Sequence, residues 1–192
     1  MSETNKQVAD LTDTEIQVLR DTYRHMVASR EIDRVEVELT GQGDAFFHVS
    51  GAGHESTAVL ASLLNETDWL HVHYRDKALM LARGISLEMF FLSTFNKDTS
   101  HSRGRQMNAH MSDPALNILS LVGPVGNSAL QAVGVAGSLV AAGSGHRGNG
   151  SDEDAPIVLC SLGEGMTQQG EVLEAIGQAV RDQLPVLFFV ED

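Results

Sequence analysis

Two short apolar segments, separated by a glycine-rich turn and one helical pattern, constrain the fold more than any other feature. Residues 157–160 form the first apolar run, residues 167–181 have helical periodicity, and residues 186–190 form the second run. Two buried strands joined by one helix form a β-α-β unit with parallel strands. In such sheets ligands bind at the carboxyl ends of the strands. The sequence therefore predicts an α/β fold whose binding edge contains Gly163-Glu164-Gly165.

This turn has the composition of a site for a metal-bound diphosphate. Two glycines let the backbone approach a bound group closely, and the helix that follows directs free N–H groups at the turn, which favours a phosphate. The Glu164 carboxylate would repel a bare phosphate, so its presence is understandable if a divalent cation lies between them. Magnesium is commonly held by one or two carboxylates together with phosphate oxygens. A Gly-Glu-Gly turn without any ligand is the alternative interpretation of the same residues.

The segment before the sheet predicts a long helical arm. A helix is expected over residues 14–39, with Thr12 or Asp13 as its N-terminal cap. The apolar residues of this segment recur at intervals of three and four, which is typical of a helix. They are Ile16, Leu19, Tyr23, Met26 and Val27.

The whole chain divides into three parts on these patterns. Residues 1–10 predict a flexible tail, residues 11–45 the helical arm, and residues 46–192 a domain built on the parallel sheet. Sheets of this kind carry helices on both faces, which defines the predicted fold class. The other predicted elements are a helix at 55–64, a strand at 69–74, helices at 76–83 and 87–95, a loop at 96–115, a helix at 127–142 and an acidic linker at 144–155.

Composition excludes several classes of function. The net charge of −13 argues against nucleic acid or an anionic membrane surface as a partner, because both require clustered Lys and Arg. The single cysteine, Cys160, excludes a disulfide framework and is consistent with a reducing compartment. The N-terminus lacks the basic and apolar parts of a secretory signal, and no apolar run approaches the roughly 20 residues of a membrane helix. We therefore expect a cytoplasmic location.

Two segments of the β-α-β unit together resemble the thiamine-diphosphate motif. Residues 163–171 begin with Gly-Glu-Gly, and residues 184–192 contain the second strand and end in Glu191-Asp192. In that motif an asparagine follows the second strand, and here it would come directly after Asp192. On this resemblance we expect a truncated chain, with an incomplete thiamine-diphosphate-binding domain over residues 46–192.

Further segments resemble the alpha portion of the first component (E1) of 2-oxoacid dehydrogenase complexes. His73-Tyr74-Arg75-Asp76 resembles the Tyr-Arg-Glu segment of that family. Gly51-Ala52-Gly53-His54-Glu55 resembles its Gly-Gln-Glu segment, with His54 in place of a common glutamine. Gly104-Arg105-Gln106-Met107 is similar to a loop of the branched-chain members, which use 3-methyl-2-oxobutanoate.

The resemblance implies roles at the diphosphate end of the cofactor. Glu164 would be a magnesium ligand. The residues expected at the diphosphate are Tyr74, Arg75, Gly163, Gly165 and Met166, the last two through their backbone N–H groups. Arg75 suits bidentate contact with phosphate, and an ordinary surface ion pair is its alternative. For Tyr74 the alternative is a half-buried aromatic residue that only packs.

Other residues would lie around the aminopyrimidine ring and the substrate. The carbonyl group of Gly123 would accept a hydrogen bond from the ring's amino group, and Val125 would help to bend the cofactor. His48 would be a catalytic residue that faces the substrate, with a buried core histidine as the alternative. Asn127 and Ser128 lie where some relatives bind potassium, so a K⁺ ion is also considered.

The resemblance implies oxidative decarboxylation of a 2-oxoacid, with transfer of the acyl group to a lipoyl group. The partners would be a beta portion, either a separate subunit of a heterotetramer or a fused half, and a lipoylated acyltransferase core. The beta portion would contribute the glutamate that activates the cofactor, so this chain alone is expected to be inactive. The alternatives are another thiamine-diphosphate enzyme, acetoin-cleaving or transketolase-like, and a non-catalytic α/β partner subunit.

Overall fold

The computed structural model describes residues 11–146 and 154–192. The predicted tail at 1–10, and residues 147–153 of the predicted linker, lie outside the described residues. Among the described residues, none of the helices combines the length and the hydropathy that crossing a membrane would require.

A parallel sheet of three strands forms the centre of the described structure. Its strands are β1 (Trp69–His71), β2 (Val158–Gly163) and β3 (Val186–Glu191), arranged in the order β1-β2-β3. Both strand pairs are parallel, and Gly163 at the end of β2 is in register with Glu191 at the end of β3. This register brings the Gly-Glu-Gly turn and Glu191 to one edge, as the β-α-β pattern predicts.

Helices cover both faces of the sheet. They are α1 (Asp13–Gln42), α2 (Lys77–Arg83), α3 (Leu87–Thr94), α4 (Asn127–Ala141) and α5 (Gly170–Asp182), with 3₁₀ helices at Glu55–Ser62, Pro114–Leu116 and Glu164–Gln168. On one face Leu70 and Leu159 pack with α1, α2 and α3. On the other face Val158, Cys160 and Leu162 pack with α4 and α5. Successive strand residues point to opposite faces, so the apolar run of β2 fills two cores. The predicted α/β fold class is confirmed.

Several boundaries differ from the sequence prediction. The strand predicted at 69–74 ends at His71, because the backbone then turns so that the His73 N–H donates to the Asp76 carboxylate at 2.7 Å. The helix predicted at 55–64 is a 3₁₀ helix over Glu55–Ser62. The helix expected from residue 167 starts at Gly170, because the 3₁₀ helix Glu164–Gln168 precedes it.

Helix α1 confirms the predicted arm but buries a different face. Thr12 caps it in a reciprocal capping box with Glu15. Leu19 and Tyr23 of the apolar series are 56% and 66% exposed. The buried positions lie in the C-terminal half of the helix and are mostly polar: Ser29, Ile32, Asp33 and Glu36. Asp33 and Glu36 form ion pairs with Lys77 of α2, and Ile32 packs in the apolar core.

Candidate functional site

Four of the residues predicted for cofactor or substrate meet at one cavity of about 430 Å³. They are His48, Tyr74, Arg75 and Gly123. The other lining residues are Phe47, Val49, Ser50, Met107 and His110. Because the lining combines a guanidinium group, two imidazoles and apolar side chains, the cavity suits an anionic ligand with an apolar part.

Arg75 is held in a half-buried position at this cavity. Its Nη1 donates a hydrogen bond to the Tyr74 hydroxyl at 3.0 Å, and its guanidinium carbon lies 4.8 Å from the centre of the Tyr74 ring. The Tyr74 ring in turn stacks on His110, with 5.9 Å between the ring centres. Among the described residues the guanidinium group makes no other hydrogen bond, so most of its donors are available to an anion.

The Gly-Glu-Gly turn lies at the carboxyl edge of the sheet, next to the segment that contains Arg75. A Cβ atom built on Gly163 would lie 3.7 Å from Nε2 of His73. Glu164 is exposed, and its carboxylate accepts the N–H of Gly165. The Met166 side chain is buried in the core of α4 and α5, which leaves its backbone for any ligand contact.

Open space surrounds two of the glycines predicted to contact the cofactor, Gly123 and Gly165. Cβ atoms built on Gly123 and Gly165 would meet no atom within 4 Å, so nothing in the described packing requires glycine at either position. The described residues contain no group of three or more His, Cys, Asp or Glu side chains that could hold a metal ion by themselves. Glu164 is the single carboxylate of the turn, and magnesium sites completed by phosphate oxygens and water commonly use one or two carboxylates. Val125 does not line the cavity and is 46% exposed.

Behind the cavity lies a pair of buried carboxyl groups that the sequence analysis did not predict. Asp76 is fully buried, and its Oδ2 accepts the His73 N–H and the Ser161 hydroxyl. Glu191, at the end of β3, is 7% exposed, and its Oε2 lies 2.5 Å from Nδ1 of His54. The remaining oxygens, Asp76 Oδ1 and Glu191 Oε1, have no hydrogen-bond partner within the part of the chain that the structure describes.

The environment of this pair keeps a proton on it. Burial, followed by the charge of Glu191, raises the pKa of Asp76 to about 7. Burial also raises the pKa of Glu191. Two coupled carboxyl groups of this kind titrate as a pair, and one proton between them relieves the repulsion. Burial, followed by the charge of Arg75, lowers the pKa of His73 to about 4, so the His73 ring is neutral at physiological pH.

Two signals in the sequence point to this pair in retrospect. Ser161 interrupts the otherwise apolar run of β2, and a buried polar group requires a hydrogen-bond partner. Glu191 follows an apolar strand directly, at the edge where ligands bind in parallel sheets. Neither signal identifies Asp76 as the partner, because that contact depends on how the segment after β1 turns.

Comparison with known proteins identifies the family. A family model described as "Dehydrogenase E1 component" matches residues 23–192. The chain belongs to the dehydrogenase E1 component family.

Curated relatives of the E1 component chain are alpha subunits. The chain is 31% identical over 195 residues to the 2-oxoisovalerate dehydrogenase subunit alpha of Bacillus subtilis (strain 168), covering 100% of this chain and 55% of the relative. It is 27% identical over 168 residues to the mitochondrial 2-oxoisovalerate dehydrogenase subunit alpha of Bos taurus, covering 87% of this chain and 35% of the relative. A mitochondrial alpha subunit 1 of Arabidopsis thaliana is 26% identical, with 86% and 33% covered. The chain thus spans about a third to just over half of these relatives.

The E1 component chain has a larger cavity elsewhere, of about 500 Å³, between the 3₁₀ helix Glu55–Ser62 and α2. Among the described residues that line this cavity, Arg83 is the only one with a cationic side chain. That guanidinium group already donates to four carbonyl oxygens at 2.8 to 3.1 Å, those of Asn65, Glu66, Asp68 and Leu116. Because its donors are used in joining loops, Arg83 has a structural role, and we place the candidate site at the cavity that contains Arg75.

The two residues considered for potassium lie at the start of α4 in the E1 component chain. Asn127 Oδ1 accepts a hydrogen bond from Nε2 of Gln131 at 2.8 Å, and Ser128 is buried. Gln131 also lies 3.0 Å from Nε2 of His71 on β1. The contact between Gln131 and His71 links α4 to the sheet. A potassium ion at Asn127 and Ser128 stays a prediction.

Proposed function

We propose that this chain forms the diphosphate- and magnesium-binding part of a thiamine-diphosphate-dependent 2-oxoacid dehydrogenase, of the branched-chain type. One observation carries the proposal. In a chain of the E1 component family, Arg75 and Tyr74 share a cavity with His48 and Gly123, next to the strand edge that ends in Gly163-Glu164-Gly165. The branched-chain preference is supported by the relatives, which are named 2-oxoisovalerate dehydrogenase subunits.

Different residues of the chain would bind the diphosphate and the magnesium ion. Arg75 would contact the diphosphate with the support of Tyr74, and Glu164 would give a carboxylate to the magnesium ion. The backbone N–H groups of Gly165 and Met166 would complete the diphosphate site, since the start of a helical segment favours anions. The cofactor, when bound, supplies the electron sink for loss of carbon dioxide from a 2-oxoacid.

The substrate end of the cavity would be formed by other residues. The carbonyl group of Gly123, which lines the cavity, would hold the aminopyrimidine ring. The role of Val125, which lies outside the cavity, stays a prediction from the sequence. His48 would face the 2-oxoacid and would act as a hydrogen-bond donor or proton carrier there.

The chain would work with partners. A beta portion would add the activating glutamate, and a lipoylated acyltransferase would accept the acyl group. In this proposal the chain alone does not turn over substrate. Potassium at Asn127 and Ser128 and a cytoplasmic location remain predictions from the sequence.

Calorimetric titration of the full-length protein with thiamine diphosphate and magnesium tests the cofactor proposal. We expect Glu164→Gln to raise the Kd by about tenfold or more, since tenfold corresponds to only about 1.4 kcal/mol. Glu171→Gln is the matched control, because Glu171 is also an exposed glutamate near the turn, in the first turn of α5. If Glu164→Gln binds as tightly as wild type, Glu164 is not a metal ligand.

A substrate assay separates the alternatives. The proposed function requires acyl transfer from 3-methyl-2-oxobutanoate to a lipoylated domain in the presence of the beta portion. Acetoin cleavage or ketose transfer without lipoyl acylation would identify another thiamine-diphosphate enzyme. A wild-type protein that binds no thiamine diphosphate would instead be a non-catalytic partner subunit.

A further inference from the structure

A buried ion cluster lies behind the candidate cavity and has no role in the function proposed above. Lys77, the first residue of α2, is fully buried, and its Nζ donates to Asp33 Oδ1 at 2.5 Å and to Glu36 Oε2. The Asp33 and Glu36 side chains are 5% and 0% exposed. Burying three charges is costly unless every partner is satisfied. The two remaining carboxylate oxygens, Asp33 Oδ2 and Glu36 Oε1, also accept hydrogen bonds.

The second oxygen of Asp33 holds the first wall of the cavity. Asp33 Oδ2 accepts the Ser50 hydroxyl at 2.8 Å and the Gly51 N–H at 2.7 Å. Gly51 packs directly against the backbone of Arg75, since a Cβ atom built on Gly51 would lie 2.6 Å from the Arg75 carbonyl oxygen. Asp33 thus connects the ion cluster to Ser50 and to the backbone of Arg75, both of which line the cavity.

The second oxygen of Glu36 holds another segment of the cavity lining. Glu36 Oε1 accepts Nδ2 of Asn108 at 2.7 Å and the hydroxyl of Thr94 at 3.0 Å. Asn108 is buried, and its own Oδ1 accepts the N–H of Ala109 at 2.7 Å. Ala109 has φ +64°, an unfavourable conformation for alanine that needs support from its surroundings. Met107 and His110, the residues on either side of Asn108-Ala109, line the cavity.

We propose that Asp33, Glu36 and Lys77 are positioning residues for the cavity. The charged network sets the separation of two loops, residues 47–51 and residues 107–110, and so controls affinity for the molecule bound between them. Only the identity of that molecule, thiamine diphosphate with magnesium, rests on the proposed function. The order of the two loops can be measured without a ligand.

Two substitutions of Glu36 partners make a matched pair in the full-length protein. Asn108→Ala and Thr94→Val each remove one hydrogen bond to Glu36 Oε1, but only Asn108 belongs to a loop that lines the cavity. Hydrogen–deuterium exchange measures the order of residues 107–110, thermal unfolding measures stability, and calorimetry measures the Kd for thiamine diphosphate with magnesium. Both variants should have lowered unfolding temperatures.

Only Asn108→Ala should alter the cavity. Exchange in residues 107–110 should accelerate, and the Kd should rise by about tenfold or more, since tenfold corresponds to only about 1.4 kcal/mol. Thr94→Val should leave both quantities at their wild-type values. Glu36→Gln, which changes the network but replaces no residue of the loop, should accelerate exchange in the same residues.

The outcomes separate the positioning role from the proposed function. Equal exchange in Asn108→Ala and Thr94→Val, or wild-type exchange in both Asn108→Ala and Glu36→Gln, would overturn the positioning role even if wild type binds thiamine diphosphate. Faster exchange in Asn108→Ala and Glu36→Gln alone supports it, even if wild type binds no thiamine diphosphate. In that last case the proposed function fails and the positioning role stands.

Discussion

At the scale of single residues, Asp76 is a carboxyl group that retains its proton near neutral pH. Its pKa in the folded protein is about 7 against an ordinary value of 3.8, because it is buried and faces Glu191. The folded state therefore binds one more proton than the unfolded state between about pH 4 and about pH 7. A raised carboxyl pKa makes the contribution of this group to stability fall as pH rises through that window.

The variant Asp76→Asn isolates this effect. Wild type loses this contribution as pH rises and the variant does not, so we expect the free energy of unfolding of Asp76→Asn to increase relative to that of wild type between about pH 4 and about pH 7. The comparison is needed because the lowered pKa of His73 acts in the opposite direction, removing stability as pH falls from 6.5 to about 4. Urea unfolding of both proteins across this range gives the difference. A difference that does not change with pH would show that Asp76 is ionised throughout.

At the scale of elements, the contact between the loop before the 3₁₀ helix and the segment after β1 depends on one glycine. A Cβ atom on Gly51 would collide with the Arg75 carbonyl oxygen, which is backbone and cannot move aside alone. We expect Gly51→Ala to lower the free energy of unfolding by about 1–3 kcal/mol, as overpacking does. It should also weaken cofactor binding, because Arg75 is displaced. Urea unfolding and calorimetry measure the two effects.

Gly177→Ala is the control for that substitution. Gly177 lies inside α5, and a Cβ atom built there would meet no atom within 4 Å. Alanine at an open helical position should stabilise the protein by about 0.5–1 kcal/mol. If Gly51→Ala were as stable as wild type, the loop would have to move freely relative to Arg75.

At the scale of the whole molecule, the two cores share the central strand β2, so opening one face exposes the other. Cys160 lies in the middle of this strand and is fully buried, and burial raises the pKa of its thiol to about 12. We expect a thiol reagent at mildly alkaline pH to label native Cys160 only through global unfolding, because a protonated and inaccessible thiol is unreactive. At reagent concentrations high enough for labelling to outpace refolding, the labelling rate should equal the unfolding rate that fluorescence reports.

Denatured protein provides the reference for this measurement. In urea above the unfolding midpoint, Cys160 should react at the rate of a free thiol. Fast labelling under native conditions would mean that the strand separates from α4 and α5 without global unfolding, and that the two cores are independent.

The elements of this chain could be predicted from the sequence because their signals are local. The cap at Thr12, the helical spacing of α1 and α5, and the apolar runs of β2 and β3 each depend on neighbouring residues. The resemblance to E1 components also depends on contiguous segments, and the family match over residues 23–192 confirms it. The boundaries at His71 and Gly170 were less predictable, since contacts from other segments decide where these elements end.

The sequence by itself determined the α/β class, the order of the elements and the edge of the sheet where Gly163-Glu164-Gly165 lies, because strand and helix periodicity is a property of adjacent residues. Tertiary structure alone decided which charges are buried together. Asp76 lies close to Glu191, and Lys77 forms ion pairs with Asp33 and Glu36. These residues are far apart in the sequence, so no periodic pattern predicts their contact. The Lys77 charge is tolerable in the core only beside its carboxylate partners, and the packing of the whole chain brings these groups together.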